Sequence, residues 1–163
     1  MKKLVVIFLV LMLGSSALAG VKNLKGVLIC IPDSYTYDIS KETGIDGTLL
    51  AEKVLQEVKN RFILYDVTHV FDYCEILSTF FVDISILEPT STGILAYTIM
   101  TSLSSTDSSD LLGTKYNDQI YLYTSTFLGL MYKDANVQNK FFRSVTDAID
   151  RFSLDYKNAN KEE

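Results

Sequence analysis

The sequence predicts an α+β domain: a mainly antiparallel sheet with two amphipathic helices packed on it, in the order β-α-β-β-β-β-α. Three observations carry this. Apolar residues recur at helical spacing after Asp46 and again after Val137, and the long stretches between them alternate apolar and polar residues with the period of a strand. A length of 163 residues, 48% hydrophobic, is one domain's worth of chain.

The chain opens with Lys2 and Lys3, an unbroken apolar run from Leu4 to Leu13, then Gly14-Ser15-Ser16 and Ala17-Leu18-Ala19. A basic start, a short apolar stretch and a small-x-small end are the layout of a secretory signal peptide, with cleavage expected after Ala19. The apolar run is roughly half of the ~20 residues needed to cross a bilayer, which argues against a membrane anchor. No cysteine follows the small residues, so no lipid attachment is expected, and no later segment reads as a transmembrane helix. The protein is expected to be periplasmic or secreted, with residues 20–156 forming the domain and 157–163 a frayed tail.

The first strand is Gly26 to Ile31, an apolar run stopped by Pro32-Asp33. The aperiodic, tyrosine-bearing stretch from Ser34 to Gly44 reads as a loop. From Asp46, a plausible N-cap, Leu50, Val54 and Val58 line one stripe with Ala51, Leu55 and Phe62 beside it, which predicts an amphipathic helix. Ile63 to Val67 is β-branched and aromatic enough for a short second strand. Cys74 to Leu87 alternates as a long strand, Glu88 to Gly93 supplies turn residues, and Ile94 to Leu103 returns as the partner of a hairpin. Ser104 to Asp110 reads as a polar loop. A third long strand runs from about Asp118 to Tyr132. The final element places Val137, Phe141, Val145, Ala148, Ile149 and Phe152 on one helical face.

Charge and composition exclude several chemistries. The chain has 20 acidic and 15 basic side chains; loss of residues 1–19 removes two lysines, leaving 13 minus 20, or −7. Such a surface repels nucleic acid and anionic lipid, so no nucleic-acid partner is expected. One histidine, His69, and two cysteines are too few for the usual structural metal sites. No G-x-S-x-G, G-x-G-x-x-G or G-x-x-x-x-G-K-[ST] occurs. No catalytic residue, metal or cofactor is therefore assigned. Glu75 and Asp83 are the carboxylate pair a hydrolase reading would examine, though solvated strand positions describe them better. Asp107 and Asp110 lack the spacing of a calcium loop.

Cys30 and Cys74 are open to two readings. An oxidising compartment lets them pair across 43 intervening residues, which stabilises a fold by roughly 3 to 4 kcal/mol in the chain-entropy model. They also suit two buried thiols.

In the third long strand Tyr121, Tyr123, Phe127 and Met131 share one face by alternation, and Ile120, Leu122, Leu128 and Leu130 the other. The sheet is thus apolar on both sides. Two helices on one face leave the second in need of a partner, unless helix or loop covers it internally. Tyr121, Tyr123 and Phe127, joined by Phe81 from a neighbouring strand, are the expected contact surface for a protein partner in the cell envelope or for self-association.

An export signal, an apolar strand ending in proline, a helix of the type LLAEKVLQEVKNRF, long strand pairs and a closing helix such as FFRSVTDAIDRF resemble small envelope proteins of Gram-negative bacteria. These are the auxiliary lipoproteins of ABC-type lipid transporters, the lipopolysaccharide-assembly lipoprotein and the curli-secretion group. The resemblance implies a non-enzymatic accessory protein that docks on a larger transport, assembly or secretion complex. Most of those proteins carry a lipidated cysteine at the mature N-terminus, which this chain lacks, and no functional residue carries over. A secreted binding or adhesive module is the alternative, with a small carboxylate-based hydrolase behind it.

Overall fold

The computed structural model describes residues 21–72, 74, 77–87, 93–107 and 118–161. The signal segment, Glu75 and Asp110 lie outside them. Strand β1 (Ile29–Cys30) is fully buried and shorter than its apolar run. Helix α1 (Gly47–Leu64) starts where expected: Asp46 Oδ1 accepts the amides of Thr48 and Leu49, each at 3.0 Å, satisfying donors that have no partner within the helix. Its stripe of Leu50, Ala51, Val54, Val58 and Phe62 is buried.

The second strand is not at 63–67. Ile63 and Leu64 continue α1 with exposed side chains, and the chain leaves the helix through a left-handed Asp66 (φ 57°). The Val67 amide reaches Phe62 O at 2.8 Å and the Asp66 amide reaches Ile63 O at 3.3 Å. Those two bonds, with buried Val67 near buried Phe62, make a Schellman ending, with aspartate where glycine is usual. Strand β2 follows at His69–Val70. His69 sits between Phe62 and Phe71, its Nδ1 2.7 Å from Val67 O.

Strands β3 (Ser78–Leu87), β4 (Ile94–Asp107) and β5 (Asp118–Tyr132) form the long antiparallel part of the sheet, in the order β2-β1-β3-β4-β5. Because β1 runs parallel to both β2 and β3, the sheet is mixed, which corrects the mainly antiparallel expectation. A strand–helix–strand crossover returns the chain in the same direction, and two-residue strands carry too little alternation to reveal it. β4 also absorbs Ser104 to Asp107, expected as loop: pairing with β5, resumed past a register shift at Leu103/Ser104, overrides their low strand propensity.

Helix α2 (Val137–Ala159) buries all six residues of its expected stripe, and Ser153 and Tyr156 besides. The helix passes the expected end at 156. Asn160 then accepts the Gly26 amide at 2.7 Å and donates to Leu24 O at 3.0 Å, while the Tyr156 hydroxyl donates to Val27 O at 2.8 Å. The start of the tail expected to fray is thus bonded to the start of the domain.

Both helices lie on one face of the sheet. Phe62 of α1 and Phe152 of α2 meet Phe80 of β3 at centroid distances of 5.1 and 4.4 Å, and Phe141 of α2 meets Tyr97 of β4 at 5.2 Å. The core is this one layer between sheet and helices, with Val82, Leu95, Ile99 and Leu103 completing its floor. The loop after Pro32 stays beside β3: the hydroxyls of Tyr35 and Tyr37 donate to Phe80 O and Val82 O at 3.1 and 2.9 Å. A disulfide joins Cys30 in β1 to Cys74, with a Cα–Cα distance of 5.2 Å. Among the described residues no helix is long and apolar enough to cross a membrane.

Candidate functional site: the uncovered sheet face

Register assigns every strand residue to a face. Leu95, Tyr97, Ile99, Thr101 and Leu103 of β4 point to the helices, opposite Met131, Gly129, Phe127, Ser125 and Tyr123 of β5. The intervening residues point away, so Leu87 of β3, Ala96 and Thr98 of β4, and Leu128, Leu130 and Tyr132 of β5 form the uncovered side.

This division splits the expected contact set. Tyr123 is core: 3% exposed, its ring meets Phe152 at 5.0 Å and its hydroxyl donates to Asp155 Oδ2 at 2.8 Å. Burial, with the Asp155 bond next, pushes that hydroxyl's pKa far above the ordinary tyrosine value. Phe127, opposite Ile99, is half-buried against the same core. Phe81 and Tyr121 point to the side away from the helices, paired with Ser102 and Ser104, which are themselves buried. Tyr121 and Tyr123 part company because the register shifts at Leu103/Ser104, where Leu122 is an extra residue in β5. A one-residue bulge sends what precedes it to the opposite face.

The exposed apolar residues lie toward the other end of the sheet: Leu130 at 74%, Leu87 at 72%, Tyr132 at 71% and Leu128 at 56%. Leu128 and Leu130 were legible as one face of the strand, but nothing in the alternation said which face the helices take. The floor between them is a shallow depression of about 400 Å³ that includes Ala96, Thr98 and Gly129. Gly129 admits no side chain, since a Cβ there would overlap the ring of Tyr97, whose hydroxyl bonds Ser144 Oγ at 3.0 Å. Asp83 is the charged residue on this side of β3; partial burial raises its carboxyl above the ordinary aspartate range.

A second depression, about 350 Å³, lies between the Asp33–Tyr37 loop and the start of α1, with Asp33 and Glu52 on its rim. Among the described residues no three histidine, cysteine, aspartate or glutamate side chains come together as a metal site.

No protein-family model matches the chain, and no curated protein matches it. A solved structure similar to it is a minor lipoprotein from Acinetobacter baumannii, at 10% identity over 80% of this chain and 89% of that one, with a TM-score of 0.33.

Proposed function

We propose that this is an exported, non-enzymatic accessory protein of the cell envelope, periplasmic or secreted, which docks on a transport, assembly or secretion component through its uncovered sheet face. The observation that carries the reading is the one-sided cover: both helices take the Phe80–Ile99–Tyr123 face, and Leu87, Leu128, Leu130 and Tyr132 stand exposed on the other. A contiguous apolar area of this kind is a usual mark of a protein-binding surface. The Cys30–Cys74 bond suits an oxidising compartment, in keeping with the signal-like N-terminus.

Co-purification from detergent-solubilised envelopes tests it, comparing the wild type with Leu130→Asp. The reading predicts that the wild type retains a membrane-complex component and that Leu130→Asp, melting within about 2 °C of wild type as an exposed substitution should, loses it. Recovery free of any envelope component, or equal retention by the variant, contradicts it.

A further inference from the structure

The two edges of the sheet are built differently. At one end β2 is two residues long, and beyond β1 the backbone of β3 is met by the hydroxyls of Tyr35 and Tyr37. Short edge strands and covering loops are ordinary ways to keep a sheet from pairing further. At the other end stands β5, fifteen residues long and last in the sheet order. From Ile120 to Tyr132 it contains no charged residue and no proline.

The hydrogen-bonding phase shows which backbone groups this edge presents. The Lys133 amide donates to Gly93 O at 2.8 Å, in line with the register Ile94↔Tyr132. Gly93 and Lys133 are therefore a hydrogen-bonded pair, and such pairs alternate along an antiparallel ladder. The odd-numbered residues from Tyr123 to Met131 thus bond to β4, while Thr124, Thr126, Leu128, Leu130 and Tyr132 aim N–H and C=O outward. Just past the bulge, Leu122 O also points outward and accepts the side-chain amide of Asn23 at 3.2 Å. Among the described residues that is the bond made to this edge, and it leaves the stretch from Thr124 to Tyr132 open.

We infer that this stretch pairs antiparallel with the same stretch of a second copy, about a two-fold axis at Leu128. Leu128 then faces its own copy, Thr126 faces Leu130, and Thr124 faces Tyr132. Every pair joins residues whose backbone groups already point outward, and no like charges meet. That neutrality is what fits a second copy: this chain carries a net charge of −5, and a charged edge would repel its twin. The open edge is roughly 30 Å long at ~3.4 Å per residue. With about 20 Å of layered edge it covers on the order of 600 Å² per partner, short of the ~800 Å² of a standard interface. The dimer is consequently dissociable, and salt strengthens it by screening the acidic surfaces. An axis perpendicular to the sheet keeps both uncovered faces on one side. The pairing rests on backbone at the edge and is independent of the docking proposed above.

Sedimentation velocity over a wide concentration range, with Thr126→Pro beside the wild type, tests the pairing. Proline at Thr126 removes an outward amide and leaves the ladder to β4 intact, which edge strands tolerate. The expected result is a wild-type dimer fraction that rises with concentration and salt, and a variant with a near-native melt whose dimer is weakened at least about tenfold, because both copies carry the change and the Thr126–Leu130 pair on each side of the axis loses a hydrogen bond. A short thiol cross-linker supplies a second reading, because both native cysteines are bonded to each other. Leu128→Cys should cross-link to its copy across a pair spacing of about 5.5 Å, whereas Thr124→Cys, roughly 27 Å from its copy by strand rise, should not. If Thr126→Pro fails to fold, the cross-links decide. A wild type monomeric throughout, a folded Thr126→Pro that dimerises like wild type, or cross-linking that is absent or equal at the two positions would overturn the inference.

Discussion

At the scale of single residues, the fold turns on which side of β5 each aromatic takes. Tyr123 and Tyr121 are two apart, and alternation alone puts them together. The extra residue at Leu122 separates them, one under Phe152 and the other on the uncovered side. No residue type marks a bulge of this kind, so it was not legible. Asp83 is a second case in which placement sets behaviour. Its pKa is raised by partial burial, so the fold favours its protonated form. That contribution is complete below the ordinary aspartate pKa and is lost as pH rises through the raised value. Asp83→Asn should therefore raise the melting temperature slightly at pH 7 and not at pH 3; thermal melts at the two pH values check this, and an equal or larger rise at pH 3 would contradict it.

At the scale of elements, the helices were legible and the short strands were not. The Asp46 cap and the stripe from Leu50 to Phe62 specify α1, and Val137 to Phe152 specify α2, because each repeats a period over several turns. By contrast Ile63-Leu64 has strand propensity and lies in helix, while His69–Val70 is strand only through its pairing with β1. Tertiary contact outweighs propensity over so few residues. The left-handed Asp66 that ends α1 is strained in a way glycine is not, and its ion pair with Lys157 is long, 3.9 Å, and exposed. Asp66→Gly should stabilise the protein by roughly 0.5–1 kcal/mol, the glycine relief being partly offset by greater freedom in the unfolded chain. Chemical denaturation measures it, and a loss of stability would show that Asp66 contributes something other than strain.

At the scale of the whole molecule, the described residues of the domain form two layers, the helices packed on one face of the sheet. The aromatic cluster of Phe62, Phe80, Tyr123 and Phe152 binds both helices to one side of a five-stranded sheet. Its ends are tied by Asn160 to Leu24 and Gly26, and its β1 end by Cys30–Cys74. That both sides of β5 are apolar could be read from alternation, and so could the question it raises. The answer required knowing that α1 and α2 pack together, with Arg61 of one 3.2 Å from Asp150 of the other. Such contact between elements 89 positions apart leaves no local signal. The docking proposal depends on this one-sided cover, and it is open to a direct measurement. Thermal melts of Tyr123→Ala and Leu130→Ala, two large side chains seven residues apart in one strand, should differ sharply. Tyr123→Ala should lose about 3–5 kcal/mol, a drop of roughly 10 °C or more, and Leu130→Ala should stay within about 0.5 kcal/mol of wild type. Comparable losses at both positions would mean that the Leu130 face is covered too, and would contradict the account.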